Sequence, residues 1–105
     1  MSVKSRKQQI EEMLVEEPND PFLRYGLAME CASADDPTTA VKHLQDLIAL
    51  APDYVPAYVQ AGQMLARLDR EDEARTVFRT GIDVARQKGD LHAAGEMEGF
   101  LASLG

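Results

Sequence analysis

The sequence predicts an all-α fold of six helices, folded as antiparallel pairs that stack side by side. Three observations lead there. Apolar residues recur at three- and four-residue intervals almost throughout, while period-two runs are missing. The breaks between the periodic stretches are short, which makes consecutive helices antiparallel neighbours. And MLVEEPND at 13–20 reads as a rougher copy of LIALAPDY at 47–54, with Pro18 and Pro52 34 residues apart.

The first helix runs from about Lys4 to Glu17 on the stripe Ile10, Met13 and Leu14, and PNDP ends it. Asp20 is placed as an N-cap and Pro21 at the first helical position, where a missing N–H costs nothing. A second helix therefore spans about Pro21 to Ser33. ADDP repeats the device with Asp36 and Pro37, and the third helix reaches about Ala51. PDYVP opens the fourth, about Tyr54 to Leu68; Pro56 falls in its first turn, where it is tolerated. The fifth, about Glu71 to Lys88, carries Glu71, Asp72 and Glu73 at its start and Arg86 and Lys88 at its end, as the helix dipole favours. Gly89 reads as the residue just past its end and Asp90 as the next N-cap. The sixth helix runs from about Leu91 to Leu104. The whole makes one domain over 1–105: a lone helix at 1–17, a first pair at about 18–54, a second pair at about 55–88 and a closing helix at 90–104.

Composition agrees. A chain of 105 residues that is 45% hydrophobic and 28% charged is ordinary for one globular domain. It buries roughly 65% of its unfolded surface, enough for a modest core without staples. A net charge of −7 argues against sequence-independent binding to nucleic acid or anionic lipid. Cys31 is the only cysteine, so an intrachain disulfide and a thiolate metal cluster are excluded, which fits a reducing compartment. No apolar run approaches the roughly 20 residues that span a bilayer, and the basic MSVKSRKQQI is followed by no apolar leader core. The expected location is cytoplasmic.

Sliding the chain by 34 residues without gaps superposes like on like. Leu14 falls on Ile48, Leu27 on Ala61, Ala28 on Gly62, Cys31 on Leu65, Asp35 on Asp69, Ala40 on Ala74 and Leu44 on Phe78. A 34-residue period of two helices is the signature of tetratricopeptide repeats. AYVQAGQMLARLDREDEARTVFRTGI resembles that family: Tyr58 stands at its bulky aromatic, Ala61 and Gly62 at its Leu–Gly pair, and Leu65 at the large residue that follows. Ala74, Phe78 and Gly81 take the small, aromatic and small positions of the second helix. In RYGLAMECASADDPTTAVKHLQDLIALAP the equivalents are Leu27, Ala28, Cys31, Ala40, Leu44 and Pro52. The match covers about residues 18 to 88. Three positions depart from the pattern: Arg24 replaces the aromatic, Leu47 a small residue, and Arg86 the proline that closes a repeat.

The resemblance, closest in style to small bacterial members, implies a short right-handed solenoid. Small residues at Ala28, Gly62, Ala40 and Ala74 would let helices approach, and large ones at Tyr58, Leu65 and Phe78 would fill the space between pairs. One pair cannot bury its own stripe, so neighbours stack. The first helix becomes the second half of an incomplete repeat, and the sixth, with Leu91, Ala94, Met97, Leu101 and Leu104 turned inward, becomes a cap.

In the family the first helix of each pair lines a concave groove that takes peptides or helices. The resemblance therefore implies a groove carrying Phe22, Tyr25, Met29, Val59, Gln60, Gln63 and Arg67, with Met97 and Phe100 added by the sixth helix. Amides and an arginine among apolar residues suit a peptide backbone and a carboxylate. The bland alternative packs Phe22, Tyr25 and Met29 on the first helix. The carboxylate-binding set of some members has no matching Lys or Asn in the first pair.

Chemistry finds little support. His43 and His92 sit in no nucleophile motif; His92, Glu96 and Asp90 could hold a metal weakly, but read more simply as a solvated helix face. Cys31 occupies a core position, and the glycines form no phosphate loop. The acidic stretches and the arginines at 75, 79 and 86 read as exposed, mutually paired helix surface, with attraction for a basic partner as the alternative. The expected function is a non-catalytic adaptor that binds a protein or peptide in its groove, with no cofactor, metal, nucleic acid or membrane. The same groove serving a homodimer is the first alternative, and a metal-dependent enzyme the second.

Overall fold

The computed structural model describes residues 3–105; the first two residues of the expected 1–17 segment lie outside the described residues. Six α-helices follow in order: α1 (Arg6–Glu16), α2 (Pro21–Ser33), α3 (Pro37–Leu50), α4 (Val55–Arg67), α5 (Glu71–Gln87) and α6 (Leu91–Ser103). Among the described residues there is no strand. Each helix packs on the next in the chain, and α4 also meets α6, giving an elongated stack of 50 × 28 × 20 Å.

The caps explain the boundaries. The Asp20 carboxylate accepts from the Phe22 and Leu23 N–H groups at 2.9 and 3.2 Å, with Pro21 opening α2. Asp36 accepts from the Thr39 N–H and Asp90 from the Ala93 N–H. α1 begins at Arg6, not Lys4, because Ser5 and Gln8 cap each other's backbone reciprocally. That S-x-x-Q signature stands in the sequence and marks the start better than apolar periodicity does.

The 34-residue offset is written into the backbone. α1 and α3 end alike: the Glu17 N–H donates to the Met13 carbonyl and the Ala51 N–H to the Leu47 carbonyl. α2 and α4 end alike too. Asp35 and Asp69 both adopt φ of 59°, and the N–H groups of Asp36 and Arg70 each donate at 2.9 Å to a carbonyl five residues back. Left-handed backbone costs most residues about 1–2 kcal/mol, and aspartate is among the few that tolerate it. The Arg24 departure has a physical resolution. The Tyr58 hydroxyl donates to the Pro52 carbonyl at 2.6 Å, and the Arg24 Nε donates to the Pro18 carbonyl at 3.0 Å. Two unrelated side chains, one repeat apart, tie down the same turn.

At Arg86 the repeat changes. A proline in the corresponding place, Pro52, lies just beyond the end of α3; with arginine there, α5 continues to Gln87. The turn beyond it passes through Gly89, whose φ of 75° suits a residue without Cβ. α6 therefore starts late relative to the 34-residue frame.

The core follows small–large pairing. Ala28, Ala40, Leu44, Leu47, Leu65, Ala74 and Phe78 are essentially inaccessible, and Leu27, Tyr58 and Gly62 are buried. A Cβ added to Gly62 would lie 2.3–2.7 Å from three atoms of the Phe78 ring, so glycine is what admits that ring. One repeat earlier the equivalent positions hold Ala28 and Leu44, both fully buried in the same core, a larger residue in place of the glycine and a smaller one in place of the ring. Gly81 is likewise filled from outside: an added Cβ would meet the Tyr58 Cβ at 2.6 Å and the Met97 Sδ at 2.7 Å.

Two expectations for α6 are corrected here. Met97, expected in the inward stripe and also at the groove, takes only the first place: it is fully buried because Gly81 leaves room for its thioether. Leu91, expected in the inward stripe, is 72% exposed; α6 turns Ala93, Ala94 and Met97 inward instead.

Candidate binding face

α2, α4 and α6 share one side of the stack, and two adjoining hollows open there. The first, about 200 Å³, is lined by Tyr25 of α2, by Val55, Pro56, Val59 and Gln60 of α4, and by Asp90, Ala93 and Glu96 at the start of α6. The second, about 240 Å³, is lined by Gln63, Ala66 and Arg67 of α4, by Phe78, and by Phe100, Ser103 and Leu104 of α6. Gln60 and Gln63 lie one turn apart on α4, so one amide serves each hollow.

The face is built from local rules. α4 starts at Val55 directly after the turn that Tyr58 closes onto Pro52, which fixes the rotation of the helix and points Gln60 and Gln63 outward. Asp90 is held by its cap bond to Ala93, which sets α6 beside α4. Phe100 stacks on Phe78 with ring centroids 5.6 Å apart and 25° between planes, continuing the core to the surface of the second hollow.

The expected groove residues divide. Tyr25, Val59 and Gln60 meet in the first hollow, and Gln63 and Arg67 in the second. Val59 forms floor, being nearly buried, and Met29 is half-buried against the core. Phe22 lies elsewhere: it is 72% exposed and lines a cleft between α1 and α2 with Ile10, Met13, Leu23 and Gly26. Among the residues that periodicity did not single out for the groove are Val55 of α4 and Asp90, Ala93 and Glu96 at α6. For the last three the signal was the N-cap at Asp90, which places one carboxylate at the mouth and a second nearly two turns on.

The electrostatics are uneven along the face. Arg67 is shared with Asp35, with 3.6 Å between charges, and its guanidinium also reaches the Met64 sulfur. Partial burial, then the neighbouring Tyr54, pushes the Tyr25 hydroxyl pKa above its ordinary value, while Gln60 acts the other way. Tyr25 is therefore a neutral donor. Its ring lies 5.7 Å from that of Tyr54, tilted by 60°, which limits how it can turn.

Elsewhere the chemical groups are quiet. Cys31 is buried, and desolvation raises its thiol pKa, the opposite of an activated cysteine. Among the described residues no three His, Cys, Asp or Glu side chains converge as metal ligands, and no helix is long and apolar enough to cross a membrane. Of the α5 arginines, Arg86 pairs with Glu98 of α6. Arg75 pairs with Asp72 and also donates to the Leu104 carbonyl at 3.0 Å, so it ties down the end of α6 and is less exposed than expected.

Comparison with known proteins agrees with this architecture. No protein-family model matches the chain. A TPR repeat-containing protein of Pseudomonas aeruginosa is 30% identical over 95 residues, covering 90% of each chain. A crystal structure of a tetratricopeptide repeat domain protein from Salinibacter ruber matches with TM-score 0.77 and 35% identity, over 81% of this chain and 94% of that one. A Bordetella parapertussis protein solved in solution shares the fold, with TM-score 0.83 at 24% identity, over 97% of this chain and 89% of that one. With its 34-residue period, its repeated turns and these relatives, the chain belongs to the tetratricopeptide repeat family.

Proposed function

We propose that the protein is a non-catalytic interaction module that holds an extended peptide or a helix of a protein partner along the face made by α2, α4 and α6. Tetratricopeptide repeat domains generally mediate protein–protein interaction, and the observation that carries the reading for this chain is the pair of hollows. Each has an apolar floor, one glutamine amide and a charged rim. That is the composition a peptide needs: amides for its backbone, apolar floor for its side chains, charge for register. The face is preformed on rigid helices, so little ordering cost falls on this side of the complex.

The test is selection of a random peptide library on the purified protein, followed by binding measurements with Gln63→Ala/Arg67→Ala. Both residues are at least partly exposed, so melting should stay within about 0.5 kcal/mol of wild type. Selected peptides should lose about tenfold or more in affinity. Selection of no peptide, or of peptides indifferent to the double change, overturns the proposal. Light scattering on the same sample reads the rival role of this face in self-association: a dimer that the double change dissolves would replace the peptide with a second copy.

A further inference from the structure

Resting on the reading of this face as a peptide site, we infer that its first hollow takes a cationic side chain of the partner, arginine in preference to lysine. At about 200 Å³ the hollow is smaller than the roughly 300–1,000 Å³ of a small-molecule site, so it fits a side chain and not a metabolite. Its walls are Val55, Val59 and Ala93, which suit an alkyl stem, while Asp90 and Glu96 place two carboxylates at the rim.

Among the described residues neither carboxylate forms an ion pair, and the basic side chains at the end of α5 are engaged elsewhere. Arg86 is committed to Glu98, and Lys88 to the Asp53 carboxylate and carbonyl at 3.6 and 3.2 Å. Asp90 is fixed by accepting the Ala93 N–H at 3.1 Å, so its charge is held at the mouth, offset only in part by the start of α6. Tyr25, restrained by Tyr54, supplies an aromatic wall. A guanidinium uses all three features together: its plane lies on a ring, its fork meets carboxylates, and it is more weakly hydrated than an ammonium. The net charge of −7 adds a long-range pull on a basic partner. The chain's own basic segment is a poorer occupant, because Lys4 and Arg6 already pair with Glu12 and Glu30.

The experiment takes the tightest peptide from the library selection and replaces each arginine or lysine singly, arginine by citrulline and lysine by glutamine. Affinities are measured for the wild-type protein and for Asp90→Asn/Glu96→Gln, in which asparagine keeps the helix cap. One replacement should weaken binding to wild type by about tenfold and have almost no further effect on the double variant. Exchanging that arginine for lysine should cost part of the affinity. Selected peptides without basic residues, or replacements whose effects simply add to those of the double variant, overturn the inference. If such peptides still depend on Gln63 and Arg67, the peptide-site reading survives while the cationic anchor falls; if no peptide is selected, both fall. Self-association abolished by Asp90→Asn/Glu96→Gln would identify the occupant as a second copy and also overturn it.

Discussion

The first and second helix pairs share a plan and differ in what surrounds them. α2 buries Leu27, Ala28 and Cys31, whereas α4 buries eight residues, from Val55 to Leu65. The sequences of the two helices do not account for the difference by themselves. α4 is enclosed by α3, α5 and α6, while α2 has α3 on one side and on the other a lone helix whose only buried residue is Ile10. In a stack of repeats, burial is conferred by neighbours as much as by composition. The middle of such a molecule is where small–large matching is tightest, and its ends are where mismatches are tolerated.

The strongest way to break the comparison is at Gly62. Gly62→Ala should gain up to about 1 kcal/mol in helix propensity yet destabilise the protein by about 1–3 kcal/mol, because the new methyl collides with the Phe78 ring. Adding Phe78→Leu, which gives the second pair the Ala–Leu combination of the first, should recover most of that loss. Chemical denaturation of both variants and of Phe78→Leu alone measures the coupling, and strict additivity would mean the two pairs are not equivalent. Gly81→Ala should cost a comparable amount, about 1–3 kcal/mol, since the Met97 thioether can yield but the Tyr58 Cβ, fixed to the backbone, cannot.

A gentler probe compares the turn ties. Tyr58→Phe removes the bond to the Pro52 carbonyl and should lower stability by about 0.5–1.5 kcal/mol. Arg24→Ala removes its counterpart on Pro18 at the more exposed end and should cost less. Equal losses would count against the idea that neighbours set the value of a repeated contact.

The smallest effect is at His43, half-buried on α3. Burial there lowers its pKa below the ordinary 6.5, ahead of the opposing pull of Asp46. The folded state thus binds the proton less readily than the unfolded one, so this contribution is present above pH 6.5 and is lost as the pH falls from there through the folded value. Melting temperature should therefore drop slightly more between about pH 7 and about pH 5 in the wild type than in His43→Gln. Identical drops would show that His43 is as well solvated folded as unfolded.

Much of this was legible in the residues. Asp20, Asp36 and Asp90 announced three helix starts, Gly89 announced an end, and Pro18 with Pro52 announced the period. These signals are local, and local chemistry carries them fully. The misplaced residues depend on rotation about a helix axis, which the late start of α6 altered: Met97 kept its inward place but not a groove one, Leu91 turned outward, and Glu96 came to the mouth of a hollow. Phe22 was misassigned for a related reason. It sits on a first helix as groove residues do, but lines the cleft that this helix makes with α1. Arg24 shows the reverse, a break in sequence pattern that the fold absorbs by satisfying the same carbonyl with a different donor.

The overrun of α5 past Arg86 also determines where this array could be lengthened. Because α6 sits out of phase with the two units before it, another 34-residue unit spliced in after Lys88 would inherit the wrong rotation. The turn at Pro52, which repeats the helix-end bonds and the carbonyl tie of the turn at Pro18, is instead a growth point: a duplicated segment inserted there would meet matching junctions on both sides.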